Sequence, residues 1–223
     1  MNASIPRQVS EFLASLRARM RHSEPRTLLP AEPTSLLREV GPDDDVVARF
    51  LDSAAAVGCR VYRSTDQDWL AAIRGIVRTH DTRTVIVEPQ PGTALTDERA
   101  AALRAALGAE GVAATHERQD DVLFSADAAI SGVLGAVAET GTLMCGSSAA
   151  AARGTTLIPP VHIALVAETQ IVADLFDLFA ELGAGAPLPA AISLITGPSK
   201  TADIEGVLVT GVHGPGEVHI VIV

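Results

Sequence analysis

Aromatic side chains are scarce in this chain: Phe, Trp and Tyr supply only 3% of its 223 residues. The core must therefore be built from Ala, Val, Leu and Ile, which dominate the 48% apolar fraction. Basic charge is also short. Seventeen Lys and Arg face twenty-seven Asp and Glu, giving a net charge of −10. No basic stripe exists to release counterions from phosphates, which argues against a nucleic-acid partner. The single lysine is Lys200. Cysteine is scarce as well: Cys59 and Cys145 stand far apart and outside any CxxC array. By itself this chain is therefore not expected to ligate an iron–sulfur cluster or a structural zinc. Long apolar runs are missing too, because Asp127 and Glu139 interrupt the most hydrophobic region. The amino-terminal segment carries no apolar run before a cleavage site. The expectation is a soluble cytoplasmic protein with no membrane span and no cofactor on this chain.

What is present is regular alternation. Ile5, Val9, Phe12, Leu13 and Leu16 recur at helical spacing within residues 5–21. Pro25, Pro30, Pro33 and Pro42 then make 23–42 an extended linker. Residues 1–42 thus read as a helical arm with a Pro-rich linker, and 43–223 as the folded domain. Asp43-Asp44-Asp45 opens a helix whose amino-terminal dipole favours carboxylates, so the acidic run reads as capping rather than metal binding. Strands at Cys59–Arg63, Thr84–Val87 and Val112–His116 alternate with helices at Gln67–Arg78 and Thr96–Leu107. Further on, Val122–Ile130 and Thr142–Cys145 read as strands flanking a small-residue helix, Gly132–Ala138. His162–Ala167 reads as a strand and Gln170–Leu182 as a helix. Ala191–Ile195, Val207–Val209 and Val218–Val223 read as closing strands. Such alternation predicts an α/β fold with a mainly parallel sheet and helices on both faces.

Two nucleotide signatures are absent. No G-x-G-x-x-G joins a strand to a helix, and Gly197-Pro-Ser-Lys200 lacks the earlier glycine of a phosphate loop. Pro198 also removes a donor that such a loop would use. The densest polar segment is nonetheless Thr196-Gly-Pro-Ser-Lys-Thr-Ala-Asp-Ile-Glu205, followed by Gly211-Val-His-Gly-Pro215. If the first loop leaves a parallel strand, it stands where open α/β sheets bind ligands. Gly197, Ser199, Lys200, Thr201 and Asp203 then converge on a small anion through hydroxyls, backbone N–H groups and an ammonium. The alternative is a capped turn in which Ser199 or Thr201 serves the backbone.

Glu139-Thr-Gly-Thr142 offers a second candidate. Thr140, Gly141 and Thr142 permit close approach to a ligand, and Glu139 has the chemistry of a base or nucleophile. The competing reading is a turn with an exposed acid. His213 and Gly214 lie in the second Gly-rich turn, and His213 suits acid/base work because imidazole titrates near neutrality. His162 begins an apolar strand after Pro159-Pro160, and His219 alternates with Val218 and Ile220. No H-x-H or HExxH spacing joins the histidines, so no metal is expected.

The ordered strings Glu139-Thr-Gly-Thr142, Leu157-Ile-Pro-Pro-Val-His-Ile163, Gly197-Pro-Ser-Lys-Thr-Ala-Asp-Ile-Glu205 and Gly211-Val-His-Gly-Pro215 resemble the signature of the LUD domain. That is the domain of the lactate-utilisation protein C family. The resemblance implies a three-layer α/β/α fold of the NagB/RpiA/CoA-transferase-like kind. It implies a component of a system oxidising L-lactate to pyruvate, beside partner proteins that carry the iron–sulfur clusters, with the motif residues as contacts for a small carboxylate or other anion. The absent cluster cysteines agree with redox centres on partners. Fold analogy also leaves a second function open, a stand-alone isomerase or CoA-transferase-like enzyme using Glu139. A third is a scaffold whose residues 1–42 recruit a partner. The resemblance does not decide whether this chain itself catalyses a step.

Overall fold

The computed structural model describes residues 7–20, 38–41, 43–148, 151–183, 188–202 and 208–223. The chain divides into two units, Met1–Arg38 and Glu39–Val223. The first contains helix α1 (Arg7–Met20). The extended reading of residues 23–42 falls outside the described residues for 23–37 and for Pro42.

The second unit opens with α2 (Val46–Ala56). Asp45 is its N-cap, accepting from the Ala48 N–H at 3.0 Å, so the acidic run does cap a helix. There follow β1 (Arg60–Arg63), α3 (Trp69–Thr79), β2 (Thr84–Glu88), α4 (Asp97–Ala109) and β3 (Ala113–Thr115). Next come α5 (Asp120–Ser125), β4 (Ala128–Gly132), β5 (Gly135–Val137), β6 (Thr142–Ser147), β7 (Val161–Val166) and β8 (Ile171–Val172). The chain closes with α6 (Leu175–Gly183), β9 (Ala191–Ile195), β10 (Lys200–Thr201), β11 (Val209–Thr210) and β12 (Glu217–Ile222).

Six strands form a sheet in the order β1-β12-β7-β4-β2-β3, and every adjacent pair is parallel. All six residues of β7 are buried, as expected of a strand covered on both faces. One face packs Val85, Val87, Ile130 and Ile163 against Ile73 of α3 and Leu103 and Leu107 of α4. The other packs Ile220 and Ala164 against Phe50 of α2, and Ile86 and Ala129 against Leu123 of α5. Each fully buried aliphatic side chain stabilises the fold by about 1.5–3 kcal/mol. A second, four-stranded sheet, β8-β5-β6-β9, is mixed, and Leu143 and Cys145 of β6 join the α2 side of the core. The α/β class with a mainly parallel sheet is thus as expected, with part of one outer layer made of β-structure.

Three local expectations are corrected. Gly132–Ala138 is not helical: it spans the end of β4 and all of β5. Its small residues serve close packing, since a Cβ on Gly132 would lie 2.0 Å from Thr93 Oγ1 and one on Gly135 2.7 Å from Leu178 Cδ1. Val122–Ile130 divides into the end of α5 and the start of β4. Gln170–Leu182 begins as a 3-10 turn and β8; the helix starts only after Asp174, whose Oδ1 accepts from Asp177 N–H at 3.0 Å. Val207 of the expected Val207–Val209 strand lies outside the described residues.

The strand order positions the site. From β2 the chain crosses to β3 through α4 on one face. It then returns through α5 on the opposite face to β4, on the other side of β2. From β4 onward β7 and β12 extend away in that second direction. The order therefore reverses between β2 and β4, which opens a crevice at their carboxyl ends, Glu88 and Gly132.

Candidate functional site

Among the described residues, Thr140, Gly141, Thr142, Gly197, Ser199, Lys200 and Gly214 gather near the end of α2. Thr140 and Thr142 hydroxyls lie 2.7 Å apart, and Thr142 Oγ1 is 2.8 Å from Thr196 Oγ1. This ladder joins the two motifs because β6 and β9 pair antiparallel, with Leu143 opposite Ile195. Gly141 adopts φ +66 against the backbone of α2, where a Cβ would stand 2.4 Å from Ala54 N. Gly197, at φ +79, approaches the α2–β1 turn so closely that a Cβ would lie 2.6 Å from Val57 O. Lys200 Nζ donates to the same Val57 carbonyl at 2.9 Å and so serves the helix end. Ser199 N–H donates to Pro215 O, and Gly211 N–H to Ser199 O. Gly214 packs on Ser199, with 3.3 Å from its Cβ position to Ser199 Cβ.

Thr201 pairs with Val209 in the β10–β11 ribbon. His213 is exposed in its turn, Glu139 is half-buried with its N–H donating to Ala173 O, and Asp203 lies outside the described residues. Four separate strings thus share one surface, since Gly216 N–H also donates to Pro160 O. That surface stands at the amino ends of β1, β7 and β12. The loop after β9 does not leave a strand of the parallel sheet, because β9 belongs to the mixed sheet and runs antiparallel to β6.

The carboxyl ends carry a different set of groups. Glu88 and Ser131 are registered partners on β2 and β4, and Ser131 Oγ lies 2.9 Å from His162 Nε2 on β7. All three side chains leave the same face of the sheet. Glu88 is buried, and its Oε1 accepts from Ala152 N–H at 2.8 Å with Arg118 Nη1 3.8 Å away. Burial pushes its carboxyl above the usual range, against the opposing pull of the Ala152 N–H and the Arg118 charge. His162 is completely buried and its Nδ1 has no hydrogen-bond partner. Burial, aided by the charge of His219, lowers its pKa to about 4, so the imidazole is neutral near pH 7.

The crevice is lined by Glu88, Ser131, Gly146, Ser147, Arg153 and Ser193 and is narrow, with a volume of about 10 Å³, the room of a single water. Through Glu88 it meets a shallower groove bearing Asp97, His116 and Arg118. Two guanidinium groups at the rim suit bidentate recognition of a carboxylate. A buried carboxyl and a serine bonded to a neutral imidazole can exchange hydrogen bonds, or a proton, with a ligand hydroxyl. Sequence reasoning missed Glu88 and Ser131. The signal for Glu88 was available: an acid ends the buried run Val85-Ile86-Val87, just before Pro89.

The LUD domain family model matches residues 47–223. An uncharacterized protein of Neisseria meningitidis serogroup B is 30% identical over 81% of this chain and 78% of its own length. Lactate utilization protein C 1 of Bacillus mycoides is 27% identical over 77% of this chain and 76% of its own. Lactate utilization protein C of Bacillus subtilis is 41% identical over 35% of each chain. A crystal structure of a DUF162 family protein from Deinococcus radiodurans covers 79% of this chain and 95% of its own, with a TM-score of 0.52. At 22% identity that likeness concerns the fold.

Proposed function

Because this chain belongs to the LUD domain family, we propose that it works in L-lactate utilisation. In this reading it is a component of a system oxidising lactate to pyruvate, acts beside iron–sulfur partner proteins and binds a small carboxylate. The name borne by its relatives supports the lactate assignment. Its two cysteines, both buried and free, are too few for a four-thiolate cluster and favour redox centres on partners. The NagB/RpiA/CoA-transferase-like kinship belongs to the same proposal.

The observation that carries the ligand assignment is the crevice where the strand order reverses. There Arg153 and Arg118 bring positive charge to a rim above Glu88 and Ser131. A 2-hydroxy acid fits this chemistry, its body in the adjoining groove of about 230 Å³, its carboxylate on a guanidinium and its hydroxyl toward Glu88 at the mouth of the crevice. The surface around Lys200, Thr142 and Gly197 fastens the second sheet to α2 and closes its carboxyl end. Titration calorimetry with L-lactate and with pyruvate tests the assignment. Binding should fall at least about tenfold in Arg153→Ala, one charged contact being worth roughly 1.5–3 kcal/mol, and change little in Lys200→Met. The reverse pattern would move the site to the Lys200 loop. The partnership is tested by affinity capture from lactate-grown cells, assaying iron and labile sulfide in the eluate. An eluate free of both, from a tagged protein that restores growth on L-lactate, would refute it.

A further inference from the structure

The end of α3 and the amino end of β12 bring two imidazoles and a carboxylate together, far from the crevice in the strand direction. His80 is the C-cap residue that follows α3. Glu217 and His219 are alternate residues of β12, so their side chains leave the same face. His80 Nε2 lies 2.9 Å from His219 Nε2, and Glu217 Oε2 lies 3.6 Å from each of them. The three atoms fall within 4.8 Å of one another. His219 is 1% exposed and the His80 side chain 14%, so the cluster is enclosed on the protein side, while Glu217 reaches toward solvent at 38%. Glu217 Oε2 is itself buried without a hydrogen-bond partner, although Arg60 Nη2 pairs with it at 2.9 Å. Tyr62 OH stands 3.2 Å from His219 Nδ1, with the two rings stacked at 11°.

We propose that His80, Glu217 and His219 form a binding site for one divalent transition-metal ion of the zinc class. Zinc–nitrogen and zinc–oxygen bonds of about 2.0–2.2 Å place tetrahedral ligands roughly 3.3 Å apart. The three atoms here already stand 2.9–3.6 Å apart. Without a metal ion, one Nε2 must carry a proton to satisfy the other, and the carboxylate oxygen beside them is held by Arg60. An ion would draw the three ligand atoms, which lie within 4.8 Å of one another, onto one centre. Two imidazoles and one carboxylate select zinc over magnesium or calcium, which prefer all-oxygen sets. With Nε2 on the ion, His219 Nδ1–H would donate to the Tyr62 hydroxyl 3.2 Å away, an outer hydrogen bond that holds the ring's orientation. Three protein ligands leave a fourth position for water on the solvent side. The geometry was hidden in sequence because His80 and His219 stand 139 residues apart. The ion would tie α3 to the sheet, and the site is independent of the lactate reading.

The test uses the untagged full chain, stripped with chelator and titrated with zinc chloride by calorimetry, with thermal unfolding followed in parallel. One ion per chain should bind and raise the melting temperature, since a ligand taken only by the folded state stabilises it. Tyr62→Phe should weaken binding roughly 10–100-fold. His80→Ala and Glu217→Gln, both near the surface, should abolish stoichiometric binding while leaving the circular dichroism spectrum intact. Arg60→Gln should tighten it severalfold by removing a cation beside the ligand oxygen. Absence of saturable binding to the wild-type chain would overturn the proposal, as would wild-type affinity in the folded His80→Ala and Glu217→Gln variants.

Discussion

Glu88 and His162 sit on the same face of the parallel sheet, one an acid and one a base, and burial works on them in opposite directions. His162 titrates at about 4 in the folded state against its ordinary value of 6.5. A depressed folded value means that its contribution to stability is complete above pH 6.5 and is lost as pH falls toward 4. At 1.36 kcal/mol per unit this is on the order of 3 kcal/mol. His219, also lowered to about 4 chiefly by burial, adds a second loss over the same range. Urea unfolding of His162→Gln at pH 7 and pH 4.5 should therefore show a clearly smaller acid loss than the wild type; equal losses would mean that His162 is not buried as described. For Glu88 the sign is reversed. Its raised folded pKa gives stability below the ordinary 4.5 that is lost as pH rises through the folded value. Glu88→Gln should thus unfold at higher denaturant than the wild type at pH 7, yet bind L-lactate more weakly. Stability given up at one residue for the sake of a ligand is the usual signature of a functional group. Glu88 is legible in the sequence as an acid at the end of an apolar run. The Ser131–His162 pair is not, because 31 residues and the register of β4 on β7 separate it from any local pattern.

Among the elements, α2 joins the two sheets, and the glycines around it decide how closely they approach. Gly141→Ala would place a methyl group 2.4 Å from Ala54 N at φ +66. Left-handed strain of about 1–3 kcal/mol and overpacking of similar size add, so a loss of roughly 3–5 kcal/mol is expected from denaturant unfolding. Lys200→Met removes only an exposed donor to Val57 O and should cost less than about 1 kcal/mol. A large loss there would show that the loop depends on its ammonium. The helices α2 and α4 were legible because apolar spacing and caps agreed, as at Thr96, whose side chain accepts from Arg99 N–H, while α3 was legible from its apolar spacing alone. The stretch from Gly132 to Ala138 was not. Glycine and alanine there signal that Thr93 and Leu178 press on the backbone, a tertiary fact that a small-residue helix imitates in sequence.

The molecule as a whole follows its alternation of strand and helix as far as β4. Beyond that point the mixed second sheet interrupts the pattern: β6 and β9 were readable as strands, whereas β5 and β8, of three and two residues, are too short to carry a period. The same scale decides where the folded body begins. Residues 1–42 read as an arm, but the second unit starts at Glu39. Val40 is 4% exposed, and Gly41 N–H donates to Asp44 Oδ2 at 2.7 Å, ahead of the Asp45 cap. Burying a valine fully is worth about 1.5–3 kcal/mol, whereas the exposed Glu39–Arg49 pair at 3.3 Å adds little. Two truncations separate these boundaries. A chain starting at Glu39 should unfold cooperatively with the stability of the full protein, because the body keeps its whole core. One starting at Asp43 should lose about 1–3 kcal/mol, since it gives up Val40 and the brace on Asp44. Equal stability of the two fragments would place the boundary after Pro42. A partner captured by the full chain but not by the fragment from Glu39 would then assign the recruiting role to the arm, with the stability of the body held constant.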